Sequence, residues 1–421
     1  MTDSYSRRSF LSGVLACGTL TAATTWLIPG GRASTGPNRR VNLSVVTGDT
    51  SGTWNVLTDL WNHNHPEVQV KVTELLGQTD DVRNGMYDRA RSGQVDLVNL
   101  DVIHIAKFRD DGLLEPVRLI SPNTFLSPTL KISLTAGETD RYWAAPFYTD
   151  VGMLFSRASD DALTVPVVID ELCAAGTENL VVQLNPVDAG AAEPFVVNVW
   201  EQALARDDGL VAPDGCPSFE LNRWREALEP LRKARAERQI LVTSIENDSR
   251  DQYMTTSGSG RSSKRPPLFM RNWPAVYREL QRLNDAHVRA GRVRVMPLAG
   301  RRNPIGVLGG RSLGLVKGSP NKEQAQEFID FATSVPAQKI LAYHGLVSPR
   351  IDVYSDPNLT AAIPHLQMIR QAVEAARLRP ITPRYADFTK AIQTHVAPFL
   401  LGNGRLTDAF VEDMKKAVDC R

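Results

Sequence analysis

Apolar and polar residues alternate from 41 to 46 in the run VNLSVV, the pattern of a strand with one buried face. Residues 47–52 form a small polar turn, and 54–64 then carry Leu57, Leu60 and Trp61 at helical spacing. Pro66 closes that helix, and alternation returns over 68–72. A helix is expected over 80–92, then a buried strand within 95–105 that leads into another helix. Strands alternating with helices predict an α/β layer structure.

The run FYTDVGMLF at 147–155 reads as one buried strand. From 161 to 241 the pattern is helix-rich. It contains a candidate strand at 180–184, a helix with an apolar face at 194–205, and a charged amphipathic helix at 224–238 whose polar face is solvated. Residues 248–267 are polar and rich in Ser, Gly and basic side chains, and read as a loop. A strand is expected in PLFMRNWP at 267–274, and helices at 321–334 and from 336. A break at 348–350 precedes helices at 365–379, 388–401 and 406–418.

Against this pattern a few residues stand out. Asp150 lies inside an apolar strand, where a carboxylate is costly unless it is hydrogen-bonded. It has a hidden partner or a ligand, or it sits at a strand end facing solvent. Asp101 closes the strand run QVDLVNLD, at the carboxyl end where α/β sheets hold ligands. A helix N-cap explains it equally well. His104 reads as packed. Glu193 precedes a helix, where its charge suits the dipole. Trp273 is followed by Pro274, which biases it to extended backbone, so it is either core filler or an apolar platform on which a sugar ring can stack. Gly309 and Gly310 permit close backbone approach to a ligand, or simply a tight turn. Arg379 ends a helix, a favourable place for a cation, and its fork of donors suits several hydroxyl oxygens.

Charge is nearly balanced, with 48 basic and 47 acidic residues, so no clustered basic groove for nucleic acid is indicated. The N-terminus carries the twin-arginine pattern SRRSFL followed by a small, apolar segment, as in a Tat export signal. An ordinary secretory signal is the other reading, and both export the chain. VLAC at 14–17 resembles a lipobox that would lipidate Cys17, although the apolar run continues past it. Cys173 and Cys216 are candidates for a bridge outside the cytoplasm. There is no CxxC or GxxxxGK[ST] motif and no His-rich metal spacing, so neither a metal nor a cofactor is expected.

The ordered set VDLVNLDVI, WAAPFYTDVGMLF, FMRNWP, VLGGRSLGLVKGSPNKEQAQEF, SPRIDVYSDP and RPITPRY resembles the family-1 extracellular solute-binding proteins of ABC importers. NWP and RPITPRY look most like the trehalose/maltose-binding branch. The resemblance implies an α/β, type-2 periplasmic-binding-protein fold: two lobes joined by hinge strands, with a ligand cleft between them. It divides the chain into an export signal at 1–33, a first lobe at 40–147 and 310–350, and a second at 150–303 and 354–421. Hinges fall around 146–150, 304–309 and 348–354.

It further implies a monomeric, extracytoplasmic, non-enzymatic receptor that passes a disaccharide or small oligosaccharide to a membrane permease. The ligand contacts it carries over are Asp101, Tyr148, Asp150, Glu193, Trp273, Gly309, Gly310 and Arg379. Two departures bear on the sugar: Arg311 follows the glycine pair where Trp is frequent, and Ser51 or a neighbour stands where some members hold an acid. The competing readings are an exported glycan-acting enzyme, using two of Asp101, Asp150 and Glu193, and a sugar-sensing receptor.

Overall fold

The computed structural model describes residues 40–49, 51–77, 79–134, 141–157, 178–185, 192–254, 267–300 and 303–418, which belong to one compact unit. The export segment with Cys17, and Cys173, lie outside the described residues. Among the described residues no helix is long and apolar enough to cross a membrane.

The strands are β1 (Val41–Thr47), β2 (Val68–Glu74), β3 (Leu97–Asp101), β4 (Leu114–Glu115), β5 (Ala145–Val151), β6 (Met153–Ser156), β7 (Leu180–Gln183), β8 (Ile240–Thr243), β9 (Phe269–Asn272), β10 (Arg294–Ala299), β11 (Pro304–Ile305) and β12 (Leu308–Val316). They form two six-stranded sheets. In the first, the order is β2-β1-β3-β12-β4, with β5 also on β12. Here β1 is parallel to β2 and β3, while β12 runs antiparallel to its neighbours. In the second, the order is β11-β10-β6-β9-β7-β8.

Each sheet organises its own aromatic core. Trp54 packs on Phe147 at 4.8 Å between ring centres, and Trp61 meets Phe328 edge-on at 5.3 Å, against the first sheet. Beside the second, Trp200 meets Phe388 at 5.0 Å and Trp224 meets Phe410 at 5.5 Å. The helix Leu221–Ala236 buries Trp224, Ala227, Leu228, Leu231 and Ala234 on one stripe and turns its charges outward.

The run expected as a single strand at 147–155 is two. Val151 ends β5 in the first sheet, and Met153 starts β6 in the second. Gly152 between them has no room for a side chain, since a Cβ would lie 2.1 Å from Glu201 Oε1. A second crossing joins β11 to β12 through Gly306, where a Cβ would lie 2.5 Å from Val151 Cγ2. Beside it the Arg377 N–H donates to the Gly306 carbonyl, and the Leu308 N–H donates to that of Arg377 (2.8 and 2.9 Å). The Thr149 N–H donates to the Val347 carbonyl (2.8 Å), ahead of the turn Ile351–Ser355.

Two local expectations change. The stretch read as loop from 248 begins inside a helix, Glu246–Met254, because Ser249 and Tyr253 bury one side of it. Residues 255–266 lie outside the described set. Gly309 and Gly310 sit within β12 and not in a turn. Cys216 is disulfide-bonded, and its partner lies outside the described residues.

Candidate ligand-binding site

Arg379, 3% exposed, is the centre of one group of side chains. Its Nε donates to the Leu308 carbonyl at the start of β12 (3.3 Å). Its Nη1 pairs with Glu193 Oε1, which also accepts the Tyr385 hydroxyl at 2.8 Å. Its Nη2 lies 3.5 Å from Asp101 Oδ1. Glu193 stands in the first turn of the helix Ala192–Arg206, and Tyr385 begins the helix Tyr385–Leu400. Asp101 ends β3, so the Asp101–Arg379 contact joins the first sheet to a loop that packs with the second. Asp101 also caps the turn Val102–His104 by accepting from the Ile103 N–H (3.2 Å). The capping and cluster readings of Asp101 therefore hold together. Burial raises the Glu193 carboxyl, while Arg379 and Tyr385 pull against that rise.

A second group adjoins the first through β5 and β12. Asp150 faces Gly309 in the ladder, and Thr149 faces Gly310. A Cβ on Gly309 would touch Asp150 Cβ at 3.4 Å and the Trp273 ring at 3.5 Å, so this glycine is where strand, acid and indole meet. Gly310 has φ 111°, and a Cβ there would lie 2.4 Å from the Tyr148 carbonyl oxygen, so only glycine fits. Burial lifts the Asp150 carboxyl to about 8, against the Val151 N–H (3.1 Å) and the Arg271 charge. Asp101 also acts on it electrostatically, which ties the two groups together.

Trp273 is fixed from several sides. Its Nε1 donates to Glu246 Oε1 (3.0 Å), and its backbone N–H to Asn272 Oδ1 (2.9 Å). The Arg271 guanidinium covers one face of the ring at 4.1 Å. Arg271 is itself held by a buried fork, Nε to Glu201 Oε2 at 2.7 Å and Nη2 to Glu201 Oε1 at 2.8 Å. Gln183 extends this network by donating to the Arg271 carbonyl and the Ser249 hydroxyl (3.0 and 2.6 Å).

Tyr148 is opposite Arg311, which is opposite Asp101, so the three form one row across β5, β12 and β3. Burial raises the Tyr148 hydroxyl well above its ordinary range. His104, behind Asp101, is 7% exposed, and burial lowers it to about 4.

The structure thus brings Asp101, Tyr148, Asp150, Glu193, Trp273, Gly309, Gly310 and Arg379 into one region where the two sheets meet. The sequence alone assigns no role to Arg271, Glu246 or Tyr385, which join them. Arg271 did carry a signal: a charge inside a short apolar strand demands a buried partner, as Asp150 did. Among the described residues no group of His, Cys, Asp and Glu is arranged to hold a metal ion.

Two α/β lobes, crossed by the chain beside a cleft of converging polar groups, define the type-2 periplasmic-binding-protein fold. No family model matches the chain. Solved structures do. Maltose-bound MalE3 of T. maritima superposes with a TM-score of 0.74 at 22% identity, over 89% of this chain and 98% of that one. The GacH receptor of Streptomyces glaucescens, solved unliganded and with acarbose, gives 0.71 at 18% identity, over 89% and 97%. UgpB of Mycobacterium tuberculosis, in complex with glycerophosphocholine, gives 0.69 at 14% identity, over 89% and 97%. The chain shares its fold with these binding proteins along nearly its whole described length.

Proposed function

We propose that this chain is the extracytoplasmic substrate-binding subunit of an ABC sugar importer, capturing a disaccharide or small oligosaccharide and presenting it to membrane permease subunits. The observation that carries the reading is the meeting of Asp101 and Arg379 from separate lobes, beside Glu193, Asp150 and the Trp273 ring. A polyol needs such a mixture. Carboxylates accept its O–H groups, a guanidinium donates to its oxygens, and an indole covers the C–H face of a ring.

Capture follows from the same geometry. The chain passes between the sheets at Gly152 and Gly306, so the lobes turn about short backbone segments. Arg379 is paired with Glu193 and lies beside Asp101. An arriving hydroxyl donates to either carboxylate and accepts from the guanidinium, replacing protein–protein contacts by protein–ligand ones. Trp273 is immobilised by Glu246 and Arg271 before the sugar arrives, so stacking costs little further ordering. The permease then meets the closed lobes.

A glycan-acting enzyme is the second reading, favoured by one observation: a carboxyl held near 8 at Asp150 is the state a general acid requires. Incubation with trehalose, maltose and longer oligosaccharides separates the two. A saturable thermal shift with the sugar recovered intact supports the receptor, and appearance of cleaved sugar supports the enzyme.

A further inference from the structure

We infer that Asp49 and Arg311 form a hydroxyl-recognising pair at the first-lobe end of the cleft, so that the ring bound there is a neutral polyol held by its edge. This inference rests on the sugar-binding reading and adds the chemistry of one end of the ligand. Asp49 lies just beyond the carboxyl end of β1, which is parallel to β3. Arg311 lies level with Asp101, the last residue of β3. Both therefore stand at the edge of the sheet where α/β folds present ligand-binding groups.

Both have bonding capacity left over among the described residues. Arg271 is paired with Glu201, Arg379 with Glu193, Arg157 with Asp285 and Arg350 with Asp352. Arg311 forms no ion pair among the described residues, and its Nη1 donates to the Asn99 carbonyl at 3.2 Å. Asp49 is only 8% exposed. Its Oδ1 accepts the Ser51 N–H at 2.9 Å, whereas its Oδ2 is buried with no hydrogen-bond partner among the described residues. Such an acceptor is costly to leave unfilled. A Cβ on Gly48, between β1 and Asp49, would lie 2.4 Å from Val82 Cγ1 and 3.2 and 3.3 Å from Arg311 Nη1 and Nη2, so the guanidinium packs over this glycine.

The charges decide which chemistry completes the pair. Asp49 and Asp101 both act on Arg311, together with Tyr148, so one cation already faces two carboxylates. A ligand carboxylate or phosphate would gain Arg311 but would bring no proton to Asp49 Oδ2 and would be repelled by both acids. An ammonium would satisfy Asp49 but could accept nothing from the guanidinium. A hydroxyl gives its proton to Asp49 and its lone pairs to Arg311, and two neighbouring hydroxyls on a ring match the guanidinium fork.

The test is titration calorimetry of the full mature chain with trehalose, maltose, a glucuronate-containing disaccharide and a glucosamine-containing disaccharide. The wild type is expected to bind a neutral disaccharide in preference to the charged ones. Asp49→Asn and Arg311→Leu are each expected to weaken that binding by about tenfold or more, the scale of a lost charge-assisted hydrogen bond. Arg311→Lys, which keeps the charge and loses the fork, should fall between. Unchanged affinity in both Asp49→Asn and Arg311→Leu, each still melting cooperatively, overturns the pair while leaving the receptor reading intact. Wild-type preference for a charged disaccharide overturns the neutral-ring inference. No binding of any sugar by the wild type removes the receptor reading, and the pair with it.

Discussion

The buried fork between Glu201 and Arg271 is the most exacting place to perturb this molecule. The two side chains are 0% and 1% exposed and meet through two bonds of 2.8 and 2.7 Å. Glu201→Ala leaves a guanidinium buried without its counter-ion and opens a void under Gly152. Breaking a buried pair from one side costs about 3–5 kcal/mol. Glu201→Gln keeps an acceptor in place and should cost about 1–3 kcal/mol. The consequence reaches the cleft, because Arg271 backs the Trp273 ring at 4.1 Å and holds down the Asp150 carboxyl. The double variant Glu201→Leu/Arg271→Met should recover much of the stability lost in Glu201→Ala, since a packed apolar pair avoids the desolvation of both charges. It should not recover sugar affinity, because the indole has lost its backing. Urea unfolding followed by far-ultraviolet circular dichroism gives the stabilities, and calorimetry gives the affinities. A loss under about 1 kcal/mol in Glu201→Ala, with sugar binding intact, would refute the reasoning.

Trp273→Ala should weaken sugar binding by ~1–3 kcal/mol if the ring is a stacking platform, measured by calorimetry; unchanged affinity would make it core filler. With its carboxyl at about 8, well above the unfolded range, Asp150 stays protonated across the acidic range. Its contribution to stability is full below the unfolded value and is lost as pH rises through about 8. A sugar hydroxyl that donates to Asp150 favours the ionised form, so affinity should rise with pH up to about 8, and Asp150→Asn should flatten that profile. Cys216→Ser should lower stability by about 2–5 kcal/mol, read as a fall in the urea midpoint.

What the sequence made legible follows from how locally each signal was written. Asp150 and Asp101 announced themselves because a carboxylate at the end or middle of an apolar strand contradicts its surroundings. Trp273 was marked by Pro274, and Arg379 by the proline-interrupted stop after a helix. These are conflicts within a few residues. Glu201 and Arg271 lie 70 positions apart, and Glu201 alone looks like any acid on a helix. Asp49 sits in a short polar loop, where an acid is unremarkable until its buried Oδ2 is seen. The strand break at Gly152 was hidden because apolar residues continue across it; only the change of sheet, and Glu201 beneath it, explains the glycine. From 248 on, the helix Glu246–Met254 reads as loop because its polar residues outnumber the Ser249 and Tyr253 positions that anchor it.

The most direct measurement is a calorimetric titration of trehalose and maltose into the wild-type chain and into Arg379→Gln. Saturable heat at a single site in the wild type, lost in a variant that still unfolds cooperatively, is the expected result. Equal binding by both proteins would place the sugar elsewhere, and no binding by the wild type would mean that these converging acids, guanidinium and indole do not serve a sugar.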